Sequence, residues 1–146
     1  MKEIKIYLDL DGTICGEDKW TSFWHNTTQL FKTGLLMEIP KQNWNILTAR
    51  PKIDRLIIKR VCFKYGLYPD EIITSESWFY TFKDDNHVAN WKASFLSKKL
   101  NNESLFVSKI IYCDNNPNIL SNMNTHPDLI LCKPKLLKKI IEDLKG

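Results

Sequence analysis

The run Lys5-Ile6-Tyr7-Leu8-Asp9-Leu10-Asp11-Gly12-Thr13-Ile14 decides how the rest of the chain is read. Residues 3–8, Glu-Ile-Lys-Ile-Tyr-Leu, have the β-branched and aromatic character of a strand, and Asp11-Gly12 marks a turn just beyond it. Two carboxylates one residue apart, directly behind a buried strand, project into one small space. There they repel, and one is driven to hold a proton unless a cation resolves the conflict. Oxygen ligands of this kind suit Mg²⁺. Such an ion bridges to a phosphate, neutralises its charge and orients it for in-line attack. One carboxylate can then act as nucleophile while the other moves protons. Gly12 permits a tight turn off the strand and lets backbone N–H groups face an anion. A bare Asp-x-Asp-Gly would also serve as a simple turn, but the strand before it and Thr13-Ile14 after it make the run more specific.

Outward from this run, strands are expected at 45–48, 71–74, 109–113 and 129–132. Helices are expected over about 19–35, from Pro51 to about Tyr65 with Gly66 as its stop, over about 87–100, at 117–123 and at 134–145. Leu56, Ile57, Val61 and Cys62 would form one buried helix face, and Leu136, Leu137, Ile140, Ile141 and Leu144 another. The polar and aromatic stretch 75–87 has no clear period and reads as a loop. Alternating strands and helices imply βαβ units. The fold class expected is therefore α/β, a Rossmann-like three-layer α/β/α sandwich on a mainly parallel five-stranded sheet. Right-handed crossovers bring the strand ends to one edge, where open α/β sheets bind ligands. Asp9, Thr48 and Asp114 each stand at or just past such an end.

With 146 residues the chain fits one domain, 1–146, around a single core. Its 43% hydrophobic and 26% charged residues exclude disordered and fibrous classes. A net charge of +4 is compatible with a phosphate-bearing partner and equally with a solvated lysine-rich surface. Cys15, Cys62, Cys113 and Cys132 form no C-x-x-C pair, which excludes zinc-ribbon and thioredoxin-like readings. His25, His87 and His126 lack metal-ligand spacing and read as structural or solvated. No apolar run approaches the ~18 residues of a membrane span, and Met1-Lys2-Glu3 leads straight into a strand pattern. A cytoplasmic chain with reduced thiols and no membrane association is expected.

Asp9-Leu10-Asp11-Gly12-Thr13 resembles the first motif of the haloacid dehalogenase (HAD) superfamily of phosphatases. Ile46-Leu47-Thr48-Ala49-Arg50 is similar to the second motif, a strand ending in Thr or Ser. Lys92 is placed like the third-motif lysine, with Lys83, Lys98 and Lys99 as rivals, and Ile111-Tyr112-Cys113-Asp114-Asn115 resembles the fourth motif. The resemblance covers essentially the whole chain. It implies Asp9 as nucleophile and Mg²⁺ ligand, and Asp11 as general acid/base offering its backbone carbonyl to the metal. Thr48 and Lys92 would hold the phosphoryl group, and Asp114, with Asn115, would complete the metal site. Gly12, Thr13, Ala49 and Arg50 would line the substrate phosphate.

Where many HAD phosphatases carry a second acid in the fourth motif, this chain has Asn115, Asn116 and Asn118. An amide oxygen still reaches Mg²⁺ but brings no charge. Asp114-Asn115-Asn116-Pro117 is similar to the Asp-Asn-Ser-Pro of the FCP/SCP branch of phosphoprotein phosphatases, although Gly12 stands where that branch usually carries glutamate. The 37 positions between Asp11 and Thr48, and the 44 between Thr48 and Lys92, leave no room for a true cap domain. The resemblance thus implies a capless phosphomonoesterase open to a large phosphorylated substrate, such as a polynucleotide 3′-phosphate end, a nucleotide or a phosphoprotein. The alternative is a low-turnover domain that binds phosphorylated ligands. Trp78, Phe79, Tyr80, Phe82 and Trp91 would either stack bases or pack against their own domain. Nothing in the sequence fixes an oligomeric state.

Overall fold

Strand β1, Glu3–Leu8, sends Ile6 and Leu8 to one side and Tyr7 to the other, all buried, so it can only sit in the middle of a covered sheet. The computed structural model describes residues 2–14, 43–64, 66–124 and 126–145. The helix expected over 19–35, with Cys15 and His25, lies outside the described residues. Strands β2 (Trp44–Leu47), β3 (Ile72–Ile73), β4 (Val107–Cys113) and β5 (Leu129–Cys132) complete a five-stranded sheet, all parallel, in the order β3-β2-β1-β4-β5. Register pairs Leu8 with Ile46 on one flank and with Cys113 on the other, and Cys113 in turn with Cys132.

Helices cover both faces, as the three-layer reading expects. On one side, Ile58 and Cys62 of α1 (Arg55–Lys64) and Leu137 and Ile141 of α4 (Pro134–Lys145) close over Ile6, Leu8, Trp44, Ile46 and Ile111. On the other, α2 (Asp85–Asn102) lays Val88, Ala89, Ala93, Leu96 and Leu100 over Tyr7, Leu47, Ile110 and Tyr112, and α3 (Pro117–Asn122) adds Ile119.

Some boundaries differ from the sequence expectation. Pro51 does not open an α-helix; a 3₁₀ turn, Lys52–Asp54, intervenes before α1. Ile57, Val61 and Cys62 pack against the core as expected and Ile58 joins them, but Leu56, next to that tighter turn, is 58% exposed. Leu136 is also solvent-facing, because it lies about 100° round the helix from Leu137, beyond the buried stripe. Helix α2 starts two residues before the expected 87, where the Asp84 side chain caps it by accepting the His87 N–H at 2.9 Å. Gly66, at φ +73°, ends α1 as expected.

Candidate active site

Three strand ends continue the ladder by one residue, and this fixes the site. Asp9 N–H donates to Cys113 O at 3.0 Å, Thr48 N–H to Ile73 O at 3.0 Å and Asp114 N–H to Cys132 O at 3.1 Å. Each of these backbones is therefore held by its neighbouring strand. Just past Asp9 the chain makes a wide turn, Leu10–Ile14, that buries Leu10, Thr13 and Ile14. Gly12 sits there at φ +79°, in the left-handed region that a side chain would disfavour.

Lys92 is carried to these strand ends by the inward face of α2 and is only 2% exposed. Its ammonium lies 2.8 Å from Asp9 Oδ1 and 3.5 Å from Asp114 Oδ2. It also donates to the buried Tyr112 hydroxyl, which itself donates to Asp114 Oδ2 at 2.7 Å. The rival lysines stay outside: Lys83 and Lys98 are exposed, and Lys99 pairs with Glu71 and Glu103 at 3.3 and 3.5 Å. Burial alone would lower the Lys92 ammonium, but Asp9 and Asp114 outweigh it and hold the group above its ordinary value. Burial and the Asp114 charge push the Asp9 carboxyl up to about 8 despite the opposing pull of Lys92. One cation thus serves two carboxylates, and Asp9 carries the shortfall. Tyr112 is raised well above the usual phenol range by burial and by Asp114, so its hydroxyl stays protonated.

Asp11 takes a different course. Its carboxylate accepts from Arg50 Nε at 2.8 Å and Nη2 at 2.7 Å, a bidentate pair. Arg50 is 1% exposed and also reaches Asp54 at 3.4 Å. Burial would lower the guanidinium, but the bonds from Asp11 and then Asp54 raise it. Thr48 Oγ1 accepts the Arg50 N–H at 3.2 Å, leaving its own hydroxyl hydrogen able to donate elsewhere. Thr13 Oγ1 links the two motif loops, donating to Asp9 Oδ2 at 3.4 Å and accepting Asn115 N–H at 3.0 Å.

A pocket of about 240 Å³ opens over this cluster, lined by Asp9, Asp11, Thr48, Ala49, Arg50, Lys92 and Asp114. Gly12, Thr13 and Asn115 are not in its lining; Asn115 is exposed and contributes its backbone N–H to Thr13. Its neighbour Asn116 stands at the rim instead. The Asn116 N–H donates to Asp114 Oδ1 at 2.9 Å, its side-chain oxygen caps α3, and its Nδ2 donates to Asp85 Oδ2 at 3.3 Å. Tyr80, of the aromatic stretch, and Asn116, of the fourth-motif amides, do line the pocket, whereas sequence reasoning missed Asp85 and the buried Tyr112, which carried no local signal.

The donor set fits a Mg²⁺ ion to a limited degree. Among the described residues, no group of three or more His, Cys, Asp or Glu side chains is arranged to hold a metal by itself. Two crowded carboxylates, one of them raised to about 8 by burial and its neighbour's charge, nevertheless match an ion that binds through one or two carboxylates and keeps several waters.

Elsewhere, His87 and His126 accept backbone N–H groups within their own turns, at 3.3 Å from Lys83 and 3.1 Å from Asp128. Cys62, Cys113 and Cys132 are free and buried. No described helix is long and apolar enough to cross a membrane. Neither a protein-family model, nor a curated protein, nor a solved structure matches the chain.

Proposed function

We propose that the chain is a Mg²⁺-dependent phosphomonoesterase of the haloacid dehalogenase type, acting through an aspartyl-phosphate on Asp9. The observation that carries this reading is the Asp9–Lys92 contact of 2.8 Å at a strand end, with Asp114 sharing the same ammonium on the floor of a pocket. Asp9, Asp114 and the Asp11 backbone carbonyl would hold Mg²⁺, with water filling the rest, since Asn115 faces solvent and the Asn116 amide oxygen caps α3. Bound there, the ion supplies the charge that keeps Asp9 ionised and neutralises the phosphoryl oxygens.

The chain's own groups account for the remaining work. An Asp9 carboxylate oxygen attacks phosphorus as the ester P–O bond breaks. Asp11 gives a proton to the leaving oxygen. Water then attacks the acyl phosphate; Asp11 takes the water proton, and Asp9 and inorganic phosphate separate. The Thr48 hydroxyl and the Lys92 ammonium donate where negative charge develops. For these proton transfers Asp11 would turn from its pair with Arg50 and take up a proton, while Arg50 stays held by Asp54 at the pocket wall. The pocket's ~240 Å³ falls below the ~300–1,000 Å³ usual for a whole drug-sized ligand. It takes the phosphate and leaves the rest of the substrate outside, as an open, capless site would.

A low-turnover phospho-ligand-binding domain is the second reading, favoured by Asn115 facing solvent and Asp11 being engaged by Arg50. A panel of phosphate esters, including phosphopeptides for an FCP/SCP-like specificity, separates the two. Mg²⁺-dependent phosphate release, and beryllofluoride trapped on Asp9, are the expected results. Binding without release would favour the second reading. The free, buried thiols are in keeping with the cytoplasmic setting we propose.

A further inference from the structure

The loop between β3 and α2 divides its aromatic residues between two tasks. Phe82 turns inward, 5.3 Å from the Trp91 ring and 5.0 Å from His87, and joins the core under α2. Trp78 and Phe79 turn outward and are 60% and 77% exposed. The base of the loop is tied down: Ser75 N–H donates to Arg50 O at 3.0 Å, Ser77 N–H to Ser75 Oγ at 3.2 Å, and Lys52 N–H to Ser77 O at 2.8 Å. The outward rings are thus displayed from anchored backbone. Consecutive exposed aromatics form an apolar patch that folding alone does not explain.

What surrounds the patch indicates its ligand. Tyr80, two residues beyond Trp78, lines the same pocket as Asp9 and Lys92, so ring surface runs into the place where phosphate would bind. Lys52 Nζ lies over the Trp78 ring, 5.3 Å from its centroid, which sets a cation against one face of that ring. A ligand that fills the pocket with phosphate and leaves it past Tyr80 brings its next groups toward these rings. A nucleotide carries a flat base one sugar away from its phosphate, with further backbone phosphates for a lysine.

We propose that Trp78 and Phe79, with Tyr80 at the pocket edge, form a base-stacking platform that presents the phosphorylated end of a single-stranded nucleic acid to Asp9. This rests on the phosphomonoesterase reading for its chemistry, but the binding it predicts does not require turnover.

The test uses the full chain carrying Asp9→Asn and labelled hexanucleotides with either a 3′- or a 5′-phosphate, read by fluorescence anisotropy. Adding Trp78→Ala with Phe79→Ala is expected to weaken binding of at least one hexamer by about tenfold or more. Trp78→Phe should recover most of that loss. With Asp9 intact, the same double change should lower kcat/KM on the better hexamer at least tenfold more than on p-nitrophenyl phosphate, chiefly through KM. Unchanged hexamer affinity in the double variant would overturn the platform, as would a phosphoserine peptide losing as much as the hexamer. If no ester is turned over but ring-dependent hexamer binding persists, the phosphomonoesterase reading fails and the platform stands. If p-nitrophenyl phosphate is cleaved and neither hexamer binds, the platform fails alone.

Discussion

The two faces of the sheet are built on different terms. Beneath α1 and α4 the strands present Ile6, Leu8, Trp44, Ile46, Ile111 and Cys113, and the helices answer with Ile58, Cys62, Leu137 and Ile141. Beneath α2 and α3 the same strands turn Tyr7, Asn45 and Tyr112 inward, and α2 brings in Lys92. Each of these polar groups has a partner: Tyr7 donates to Glu71 Oε2 at 3.2 Å, Asn45 Nδ2 to Ile6 O at 3.2 Å, and Tyr112 to Asp114. Burying them is tolerable only with those bonds in place. One face therefore supplies cohesion through area, while the other gives up some of it to hold a charged cluster at the strand ends.

Substitutions can break or sharpen that contrast. The largest effect is expected from Asp9→Asn, which should cut phosphate release by on the order of 10³-fold or more, measured with p-nitrophenyl phosphate and Mg²⁺. Lys92→Met should reduce it by about 10²–10³-fold and also destabilise the fold by about 3–5 kcal/mol, because two carboxylates lose their shared cation. Urea titration beside the assay measures both. On the opposite face, Leu137→Ala should cost about 2–5 kcal/mol while kcat of the remaining folded protein stays unchanged. A fall in kcat there would break the division between the faces.

Removing metal gives a smaller but signed effect. The Asp9 carboxyl is raised to about 8, so the folded state holds a proton that the unfolded chain has already released. Its contribution is fully present below the unfolded value near 4 and is lost as pH rises to about 8. Thermal melts in chelator should therefore show Tm falling across that window. The slope should flatten in Asp9→Asn, and Mg²⁺ should raise Tm in wild type at pH 8 but much less in the variant. Smallest of all, Tyr112→Phe should cost about 1–3 kcal/mol of stability and lower kcat about tenfold, with KM little moved.

What the sequence made legible follows from the range of each interaction. Asp9, Thr48 and Asp114 were readable because a strand pattern ending in a polar residue is local, and parallel topology then gathers such ends. Lys92 was readable because its spacing from Leu96 puts it on the inward face of α2. Tyr112 was not readable: its hydroxyl matters only because the facing of β4 towards α2 sets it between Lys92 and Asp114. The bidentate Arg50–Asp11 pair likewise joins residues 39 positions apart. Leu56 alone was misplaced on α1: Ile57, Val61 and Cys62 pack against the core as expected, while Leu56, at the start of the helix just past the 3₁₀ turn, faces solvent. The alternation of strands and helices withstands such local errors, which is why the architecture was readable even where single positions, Leu56 and Leu136, were not.

The hydrogen bonds that carry the ladder one step past each strand have a further consequence. The amides of Asp9, Thr48 and Asp114 are protected by Cys113, Ile73 and Cys132, residues of the sheet itself. Releasing the first or last of them separates β1 from β4 or β4 from β5, so these amides should exchange with deuterated solvent only through openings close to global unfolding. A side-chain cluster tied this way has no loosened state of its own, and a partly folded chain lacking the β4 pairing would not assemble it. Assembly of the cluster then becomes a report on the integrity of the whole sheet.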